Sequence, residues 1–268
     1  RFAHGEVSLK EAAELGCAAC ATSGGGCQFL GTAASSQVVA EALGMTLTGS
    51  AAIPGPYRER GQMAYRTGLR IVDMVHENLR PSDVMTRDAF INAIVTSSAI
   101  GGSSNCPVHL AAISRHMGVE LSLEDWQTYG HDIPLLVNLQ PAGEYLGEDY
   151  HKAGGVPRVM LELMGAGRLN NGAMTVTGKT MGENLEAAHA ASSYVNREVI
   201  KSYDEPMMTH AGFIVLSGNL FDSAVMKTSV INDSFRERYL SNPGDENAYE
   251  ARAIVFEPRI LLMDEPLS

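Results

Sequence analysis

The sequence predicts an α/β fold in which a helix-rich α/β domain is followed, from about residue 205, by a β-rich region. Up to about Ala191, apolar residues recur at helical spacing in most segments, and only short β-leaning segments lie between them. Beyond that point the chain has short β-leaning runs that are separated by Gly, Asn and Pro. A length of 268 residues allows one large domain or two ordinary ones.

Capping and breaking signals define the first three predicted helices. Ser8 and Glu11 form a capping-box pattern, which predicts a helix from about residue 9 to 21. The segment TAASSQVVAEALG predicts a second helix that closes at Gly44. After a loop rich in Gly and Pro, YRERGQMAYRTGLRIVDMVHENL predicts a long amphipathic helix that ends before Pro81.

Three more helices and several strands are predicted further along the chain. The helical segments are RDAFINAIVTSSAIGG, CPVHLAAISRHMG and VPRVMLELMG. DIPLLVNL predicts a buried strand, and AMTVTG predicts another. Beyond residue 205, the segments FIVLSGNL, SAVMKTSVI and ARAIVFE predict the strands of the β-rich region.

Composition and charge exclude several classes of protein. A hydrophobic content of 45% with 19% charged residues is typical of a globular chain. A net charge of −11 argues against nucleic acid and anionic membranes as partners, because both need a basic face. Four unevenly placed cysteines do not form a secreted disulfide framework, so a reducing, cytoplasmic compartment is favoured.

Three of the four cysteines, Cys17, Cys20 and Cys27, lie close together and permit several kinds of site. A zinc knuckle, a disulfide, a redox pair and an iron–sulfur site are all open, as is packing as small buried side chains. Cys17 and Cys20 share one face of a predicted helix, which favours packing. Cys27 lies in a Gly-rich loop ahead of the next helix, where backbone N–H groups stabilise a thiolate.

A second candidate site is the stretch GGSSNCPVHL, which begins at Gly101. Ser103, Ser104 and Asn105 stand at a Gly-Gly break directly before a predicted helix, where free N–H groups can hold a carboxylate or phosphate. The alternative is a well-capped helix whose N–H groups these side chains satisfy. Cys106 is predicted to be a core residue and not a ligand. The eight histidines are scattered and form no recognisable pair.

Two motifs resemble parts of nucleotide-binding sites, but neither is predicted to bind a nucleotide. In GAMTVTGKT, Gly172 and Gly178 have five residues between them where a P-loop has four, so a strand that ends in a Gly-Lys-Thr turn is predicted. The tail EPRILLMDEPLS resembles the Walker B segment of transporter-type ATPases, with Asp264 and Glu265 at its acidic end. A Walker B strand without a P-loop has no phosphate to act on.

A series of motifs in order resembles the dihydroxy-acid and sugar-acid dehydratase family. The motifs include GGGCQFLGTAASSQVVAEALG, IGGSSNCPVHLAAISRHMG, IPLLVNLQPAGEYLGEDYHKAGGVPRVMLELM and NGAMTVTGKTMGENL. The resemblance extends over about residues 8 to 257, and YRERGQMAYRTG and CQFLGTAASSQ favour the sugar-acid branch. It implies residues 1–204 in the N-terminal α/β domain, residues 205–257 at the start of a barrel-like C-terminal domain, and residues 258–268 as an atypical tail.

The resemblance also implies a chemistry and its cofactors. Family members remove water from a 2,3-dihydroxy carboxylate to give a 2-keto acid, with an iron–sulfur cluster (2Fe-2S or 4Fe-4S) and Mg²⁺. Cys27 matches the third cluster cysteine, while the other two cysteines, the Mg²⁺ ligands and the serine base are expected outside Arg1–Ser268. No catalytic residue is therefore assigned in this chain, and the serines at GGSSN are placed only in the substrate's vicinity.

The resemblance leaves two outcomes for the chain as a whole. It is expected to be a fragment of a sugar-acid dehydratase, homo-oligomeric at full length, which takes a small sugar acid and neither nucleic acid nor membrane. The alternative is a truncated, inert chain that serves at most as an oligomerisation partner. A branched-chain 2,3-dihydroxy acid is the alternative substrate.

Overall fold

The computed structural model describes residues 5, 7–13, 28–216 and 224–231. These residues form a helix-rich structure with one small antiparallel sheet, consistent with the predicted α/β class. The helices are α1 Thr32–Ala42, α2 Arg58–Glu77, α3 Pro81–Val84, α4 Arg87–Ala99, α5 Asn105–His116, α6 Leu123–Asp125, a π-helical turn Trp126–Gly130, α7 Gly147–Lys152, α8 Gly155–Gly165 and α9 Met181–Ala191. The strands are β1 Phe213–Leu216 and β2 Ala224–Lys227. None of the described helices has the length and apolar character to cross a membrane.

The predicted capping box near the N-terminus is confirmed. Residues 9–13 are helical, and the Ser8 N–H and hydroxyl both donate to Glu11 Oε2 at 2.8 Å. The Glu11 N–H donates back to Ser8 Oγ at 3.2 Å. The rest of that predicted helix lies outside the described residues, and so do Cys17 and Cys20.

The local stop signals also act where the sequence predicts. Gly44 follows α1 with φ +74°, a conformation that favours glycine, and a Cβ there would lie 3.0 Å from the Met174 carbonyl oxygen. The long helix α2 ends at Asn78, which adopts the left-handed conformation, before Pro81. Helix α4 lies within the segment whose periodicity predicts it, and α5 and α8 each begin one residue before their predicted segments.

Helix α4 is the centre of the hydrophobic core. Ten of its residues are buried, and α1, α5, α8 and the π-helical turn all pack against it. Because it is buried on several faces, several of its polar side chains are shielded from water. Asn92 exchanges two hydrogen bonds with the Asn170 backbone, accepting from its N–H at 2.7 Å and donating to its carbonyl at 3.1 Å.

The predicted strand DIPLLVNL is buried but is not a regular strand. Leu135, Val137 and Leu139 form isolated bridges with three different partners, Met208, Ile200 and Tyr145. The prediction of a regular strand is therefore wrong, although the predicted burial of the segment is confirmed. Apolar patterning reports burial, whereas a strand also needs one partner that stays in register.

The predicted strand AMTVTG is likewise wrong, because this segment forms a tight turn. The Thr175 N–H donates to the Lys179 carbonyl at 3.0 Å, and Met174 and Thr180 form a single bridge. The Gly-Lys-Thr turn that the sequence predicts is present, and it leads directly into α9 through a capping box of Thr180 and Glu183.

The two predicted strands that flank residue 220 are confirmed as β1 and β2, which pair antiparallel with Phe213 opposite Lys227. The third, ARAIVFE, and the tail with Asp264 and Glu265 lie outside the described residues. Phe213 packs edge-on against Trp126, with ring centroids 4.9 Å apart. Just before β1, Gly212 crosses Gly130 so closely that a Cβ on Gly212 would lie 1.7 Å from the Gly130 oxygen.

We predict that Gly212→Ala displaces β1 from the π-helical turn, because the new methyl group cannot fit beside the Gly130 carbonyl. The free energy of unfolding should fall by about 1–3 kcal/mol, as for other overpacked sites. Trp126 is the chain's one tryptophan and is buried, so its emission should shift to the red if Phe213 moves away.

The matched control is Gly172→Ala, because no atom lies within 4 Å of a Cβ at Gly172. That variant should change the free energy of unfolding by less than about 0.5 kcal/mol and leave the emission unchanged. Equal effects of the two substitutions would contradict the prediction. Urea titration followed by tryptophan fluorescence measures both quantities.

Candidate functional site

The starts of α1 and α5 are joined by a network of hydroxyl and amide groups. The Ser103 N–H donates to Ser35 Oγ at 2.9 Å, and the hydroxyls of Thr32 and Ser103 are hydrogen-bonded at 3.2 Å. The Asn105 side-chain amide donates to Thr32 Oγ1 at 2.8 Å. The structure therefore brings the predicted site at GGSSN against the first turn of the helix that follows Cys27.

Ser103 also has the capping role that the sequence left open. Its hydroxyl accepts the Asn105 N–H at 3.2 Å, which satisfies one of the donors at the start of α5. Ser103 is buried, whereas Ser104 and Asn105 are half-buried. Capping and proximity to α1 coexist here, so the geometry is compatible with both interpretations of these residues.

The turn before Ser103 requires two glycines. Gly101 has φ +62°, and a Cβ on it would lie 2.9 Å from Ser229 Oγ. A Cβ on Gly102 would lie 2.6 Å from Ser97 Oγ and 3.0 Å from the Ser97 carbonyl oxygen. Because nothing larger fits, the chain reverses tightly between α4 and α5 and presents Ser103 to α1.

Cys106 is buried in the hydrophobic core, as the sequence predicts. Burial raises the pKa of its thiol to about 11, which the neighbouring Ser97 hydroxyl only partly offsets. It is therefore a neutral thiol at physiological pH and a poor metal ligand. Cys27 itself lies outside the described residues, which begin again at Gln28.

A small pocket of about 80 Å³ opens beside Gln28, the residue after Cys27. It lies between α1, the loop of residues 51–55 and the start of α7. Two of the residues that line it, Gln28 and Tyr150, carry a buried side-chain oxygen that has no hydrogen-bond partner among the described residues. Its walls are mostly apolar and include Leu30, Val38 and Leu139.

Two charged side chains hold the loop that forms one wall of this pocket. Glu41 accepts from the N–H groups of Gly49 and Ala51 at 2.6 and 2.9 Å. Arg60 donates to the carbonyls of Ser50 and Ile53 at 3.1 and 2.7 Å. Arg60 also donates to Gln37 Oε1 at 3.0 Å. The wall is thus fixed from α1 on one side and from α2 on the other.

Burial perturbs the pKa of Glu41, which holds the loop, and of Tyr150, which lines the pocket. Desolvation raises the pKa of Glu41 to about 7, against the opposing effect of the N–H groups of Ala51, Gly49 and Ser50. Desolvation also raises the pKa of the Tyr150 hydroxyl well above its ordinary value, and the charge of Glu41 adds to this effect. Tyr150 is therefore a neutral hydroxyl that can donate and accept hydrogen bonds.

Among the described residues, no group of three or more His, Cys, Asp or Glu side chains is placed to hold a metal ion. What they do offer is neutral hydrogen-bonding groups: the hydroxyls and amides at the start of α5 and in the pocket.

Sequence reasoning did not identify Gln28, Glu41, Arg60 and Tyr150 as a group. Gln28 follows Cys27, the predicted cluster ligand. Tyr150 lies far along the chain on α7, and no spacing rule in the sequence links it to Gln28. Glu41 gave one usable signal, since it is an acidic residue on the apolar side of α1, next to Ala42.

Comparison with known proteins identifies the family. Residues 1–184 match the family model described as "Dihydroxy-acid/6-phosphogluconate dehydratase N-terminal", and the chain belongs to this family. The family is one of dehydratases, which are hydro-lyases. The resemblance drawn from the motifs is thereby confirmed.

Three relatives illustrate the similarity. The D-xylonate dehydratase of Caulobacter vibrioides is 53% identical over 257 residues, which is 96% of this chain and 42% of that protein. The L-arabinonate dehydratase of Rhizobium leguminosarum bv. trifolii is 43% identical over 81% of the chain and 35% of its own length. The dihydroxy-acid dehydratase of Caldanaerobacter subterraneus is 39% identical over 85% of the chain and 40% of its own length. The chain thus spans between 35% and 42% of the length of these relatives.

We predict that Glu41 makes the stability of this region depend on pH. The pKa of this carboxyl group is about 7 in the folded state, against 4.5 for the ordinary value. Below pH 4.5 the group is protonated in both states and leaves the free energy of unfolding unchanged. As pH rises towards 7 the unfolded state loses its proton first, so the free energy of unfolding falls. The loss should be on the order of 3 kcal/mol between pH 4.5 and pH 8. Urea titrations at a series of pH values measure it.

Glu41→Gln should flatten this pH profile, because the variant has no titratable carboxyl group at position 41. The variant also loses one accepted N–H bond, so the diagnostic quantity is the slope with pH and not the absolute stability. Glu186→Gln, an exposed change on α9, should retain the slope of the parent chain. A Glu41→Gln profile that is as steep as the parent's would show that another group titrates.

Proposed function

We propose that this chain is part of a hydro-lyase that dehydrates a sugar acid, a 2,3-dihydroxy carboxylate, to a 2-keto-3-deoxy acid. The observation that carries the proposal is 53% identity to a D-xylonate dehydratase over 96% of the chain. Identity to a dihydroxy-acid dehydratase is lower, at 39% over 85% of the chain. The difference favours a sugar acid over a branched-chain dihydroxy acid as the substrate.

The polar groups at the start of α5 support a role in binding such a substrate. A sugar acid presents several hydroxyl groups and one carboxylate, which neutral hydroxyl and amide side chains recognise by hydrogen bonds. Ser103, Ser104 and Asn105 supply such groups beside α1. We assign these three residues to the substrate's vicinity and give none of them a catalytic role.

The proposed enzyme is metal-dependent, with an iron–sulfur cluster and Mg²⁺. Bound metal ions would polarise the 3-hydroxyl, which is a poor leaving group. They would also polarise the substrate next to C2, whose proton is only weakly acidic. From this chain we assign only Cys27 to the cluster, by its match to the family motif. The helix start that follows it at Thr32 would favour a thiolate if its N–H groups face the sulfur.

The remaining properties of the proposed enzyme follow from the same resemblance. We propose a homo-oligomer that acts on a small molecule in carbohydrate metabolism. The cytoplasm is proposed as its compartment on a separate ground, the four unevenly placed cysteines. The alternative of a catalytically inert chain is distinguished by activity and by iron content, as the two experiments below describe.

The first experiment measures 2-keto acid formation by the protein expressed from the complete reading frame that contains this chain. D-Xylonate, L-arabinonate and a branched-chain 2,3-dihydroxy acid are supplied separately with Mg²⁺. We expect kcat/KM to be at least about tenfold higher for one of the sugar acids than for the branched-chain acid. Preference for the branched-chain acid would overturn the substrate assignment, and no turnover of any acid would overturn the proposed activity.

The second experiment tests Cys27 by substitution. Cys27→Ser should lose most of the bound iron, acid-labile sulfide and visible absorption, because a cluster held by three cysteines tolerates poorly the loss of one. Cys106→Ala is the matched control, since that buried thiol belongs to the core and should leave the iron content unchanged. Cys17→Ser and Cys20→Ser should also retain the iron.

Retention of the parent's iron content in Cys27→Ser would remove Cys27 from the ligand set. A loss of iron in Cys17→Ser or Cys20→Ser that equals the loss in Cys27→Ser would instead support a different set of cysteine ligands. Circular dichroism of each variant establishes that the comparison is made between folded proteins.

A further inference from the structure

Helix α2 has an apolar face that the described part of the protein does not cover. All but four of its twenty residues are exposed, and the four are Arg60, Met63, Arg70 and Met74. The outward face carries large apolar side chains at helical spacing, each more than half exposed: Tyr65, Leu69, Val72 and Val75. Single exposed apolar residues are normal, whereas a continuous row of them is typical of an interaction surface.

Two glycines lie on this outward face, seven residues apart. A Cβ at Gly61 or at Gly68 would meet no atom of the described residues within 4 Å, so no contact there requires a glycine. Glycine weakens the interior of a helix relative to alanine. Its one advantage on a helix surface is that another backbone can approach closely. The two glycines therefore indicate that a second helix packs on this face.

The N-terminal half of the face forms a hole for a side chain. A shallow depression on α2 is lined by Arg58, Gly61, Gln62, Tyr65 and Arg66. The first four of these are spaced i, i+3, i+4 and i+7, which is the set of residues that receives one knob from a facing helix. The next set along α2 has the same spacing and only small or apolar members and tyrosine: Gly61, Ala64, Tyr65 and Gly68.

The C-terminal half of the face carries the matching knobs. Val72 and Val75 are three residues apart, and so are the centres of the two holes. An antiparallel second copy of α2 that inserts Val75 into the first hole therefore inserts Val72 into the second. In this register Gly68 lies at the two-fold axis, level with the same residue of the other copy, where the two backbones come closest.

The charge along α2 favours the same antiparallel arrangement. The first ten residues carry three arginines and one glutamate, whereas the last ten carry one arginine and two acidic residues. The N-terminal half is thus basic and the C-terminal half acidic. Antiparallel copies bring opposite charges together, and parallel copies would bring like charges together. A face that is complementary to its own reverse fits a second copy of the same chain.

We propose that the outward face of α2 binds the same face of a second copy of the protein, antiparallel about a two-fold axis at Gly68. The proposal rests on the homo-oligomer of the proposed function and deepens it, because it names the surface through which two copies meet. Such an interface uses the same residues on both sides, so each substitution in it acts twice.

The first test is Gly68→Ala in the protein expressed from the complete reading frame that contains this chain. On an uncovered helix this change is stabilising, because alanine has the higher helix propensity and its methyl group meets nothing. Between two copies it places two methyl groups at the axis and separates the helices. We expect the dissociation constant of the assembly to rise at least about tenfold in analytical ultracentrifugation. An unchanged constant with a higher melting temperature would overturn the proposal.

The second test places a charge in the interface. Val72→Glu should halve the mass of the assembly in light scattering, because a carboxylate would be buried in an apolar hole on each side. Val108→Glu is the matched control, since Val108 is an equally apolar and exposed residue on α5. That variant should keep the parent's mass. An equal effect of the two substitutions would overturn the assignment to α2.

Cross-linking identifies what covers the face. Leu69→Cys lies one residue from the proposed axis, so a short bismaleimide should join two copies and give a dimer band that the parent does not give. Val108→Cys should give no such band. Absence of the band in Leu69→Cys would overturn the proposal. Loss of thermal stability in Val72→Glu at unchanged mass would do the same, and would show that another part of the same polypeptide covers α2.

These measurements do not depend on turnover. Cross-linking through Leu69→Cys supports the interface even if no acid is dehydrated. Turnover of D-xylonate by a protein whose Gly68→Ala and Val72→Glu variants keep the parent's mass would overturn the interface and leave the dehydratase activity standing.

Discussion

The burial of α4 on several faces is the constraint on which the described structure depends. Ten of the thirteen residues of this helix are buried, and four other elements pack against it. Among its buried polar residues, Asn92 is hydrogen-bonded to the Asn170 backbone, whereas the hydroxyls of Thr96 and Ser97 have no partner among the described residues. The crowding around Ser97 also leaves no room for a side chain at Gly102, so the chain can leave α4 only through a tight glycine turn.

This exit determines where the candidate site lies. Because the turn at Gly101 and Gly102 is tight, α5 begins beside the first turn of α1, and Ser103 bonds to both helices. The same helix α1 carries Glu41, which holds the loop on its other side together with Arg60. These bonds fix one wall of the pocket beside Gln28 from two helices.

The described residues contribute neutral recognition groups in greater number than reactive ones. Glu41 and Arg60 are committed to the backbone, and Cys106 is a buried thiol with a raised pKa. The remaining groups at the site are hydroxyls and amides, which fit the sugar acid that we propose as the substrate. The family to which the chain belongs, with sugar-acid dehydratases among its relatives, fits this division of roles.

The sequence by itself predicted the helices α1, α2, α4, α5 and α8, the family and the candidate residues Cys27 and Ser103–Asn105, whereas α3, α6, α7 and α9 emerged only in the structure. Helix ends were predictable because their signals are local: the Ser8 and Glu11 capping box and Gly44 act through bonds to neighbours in the chain. Only the tertiary structure decided that DIPLLVNL changes partners along its length and that AMTVTG is a turn. It alone placed Tyr150 and Gln28 in the lining of one pocket, because contacts between distant segments depend on how helices pack around α4 and leave no periodic trace in the sequence.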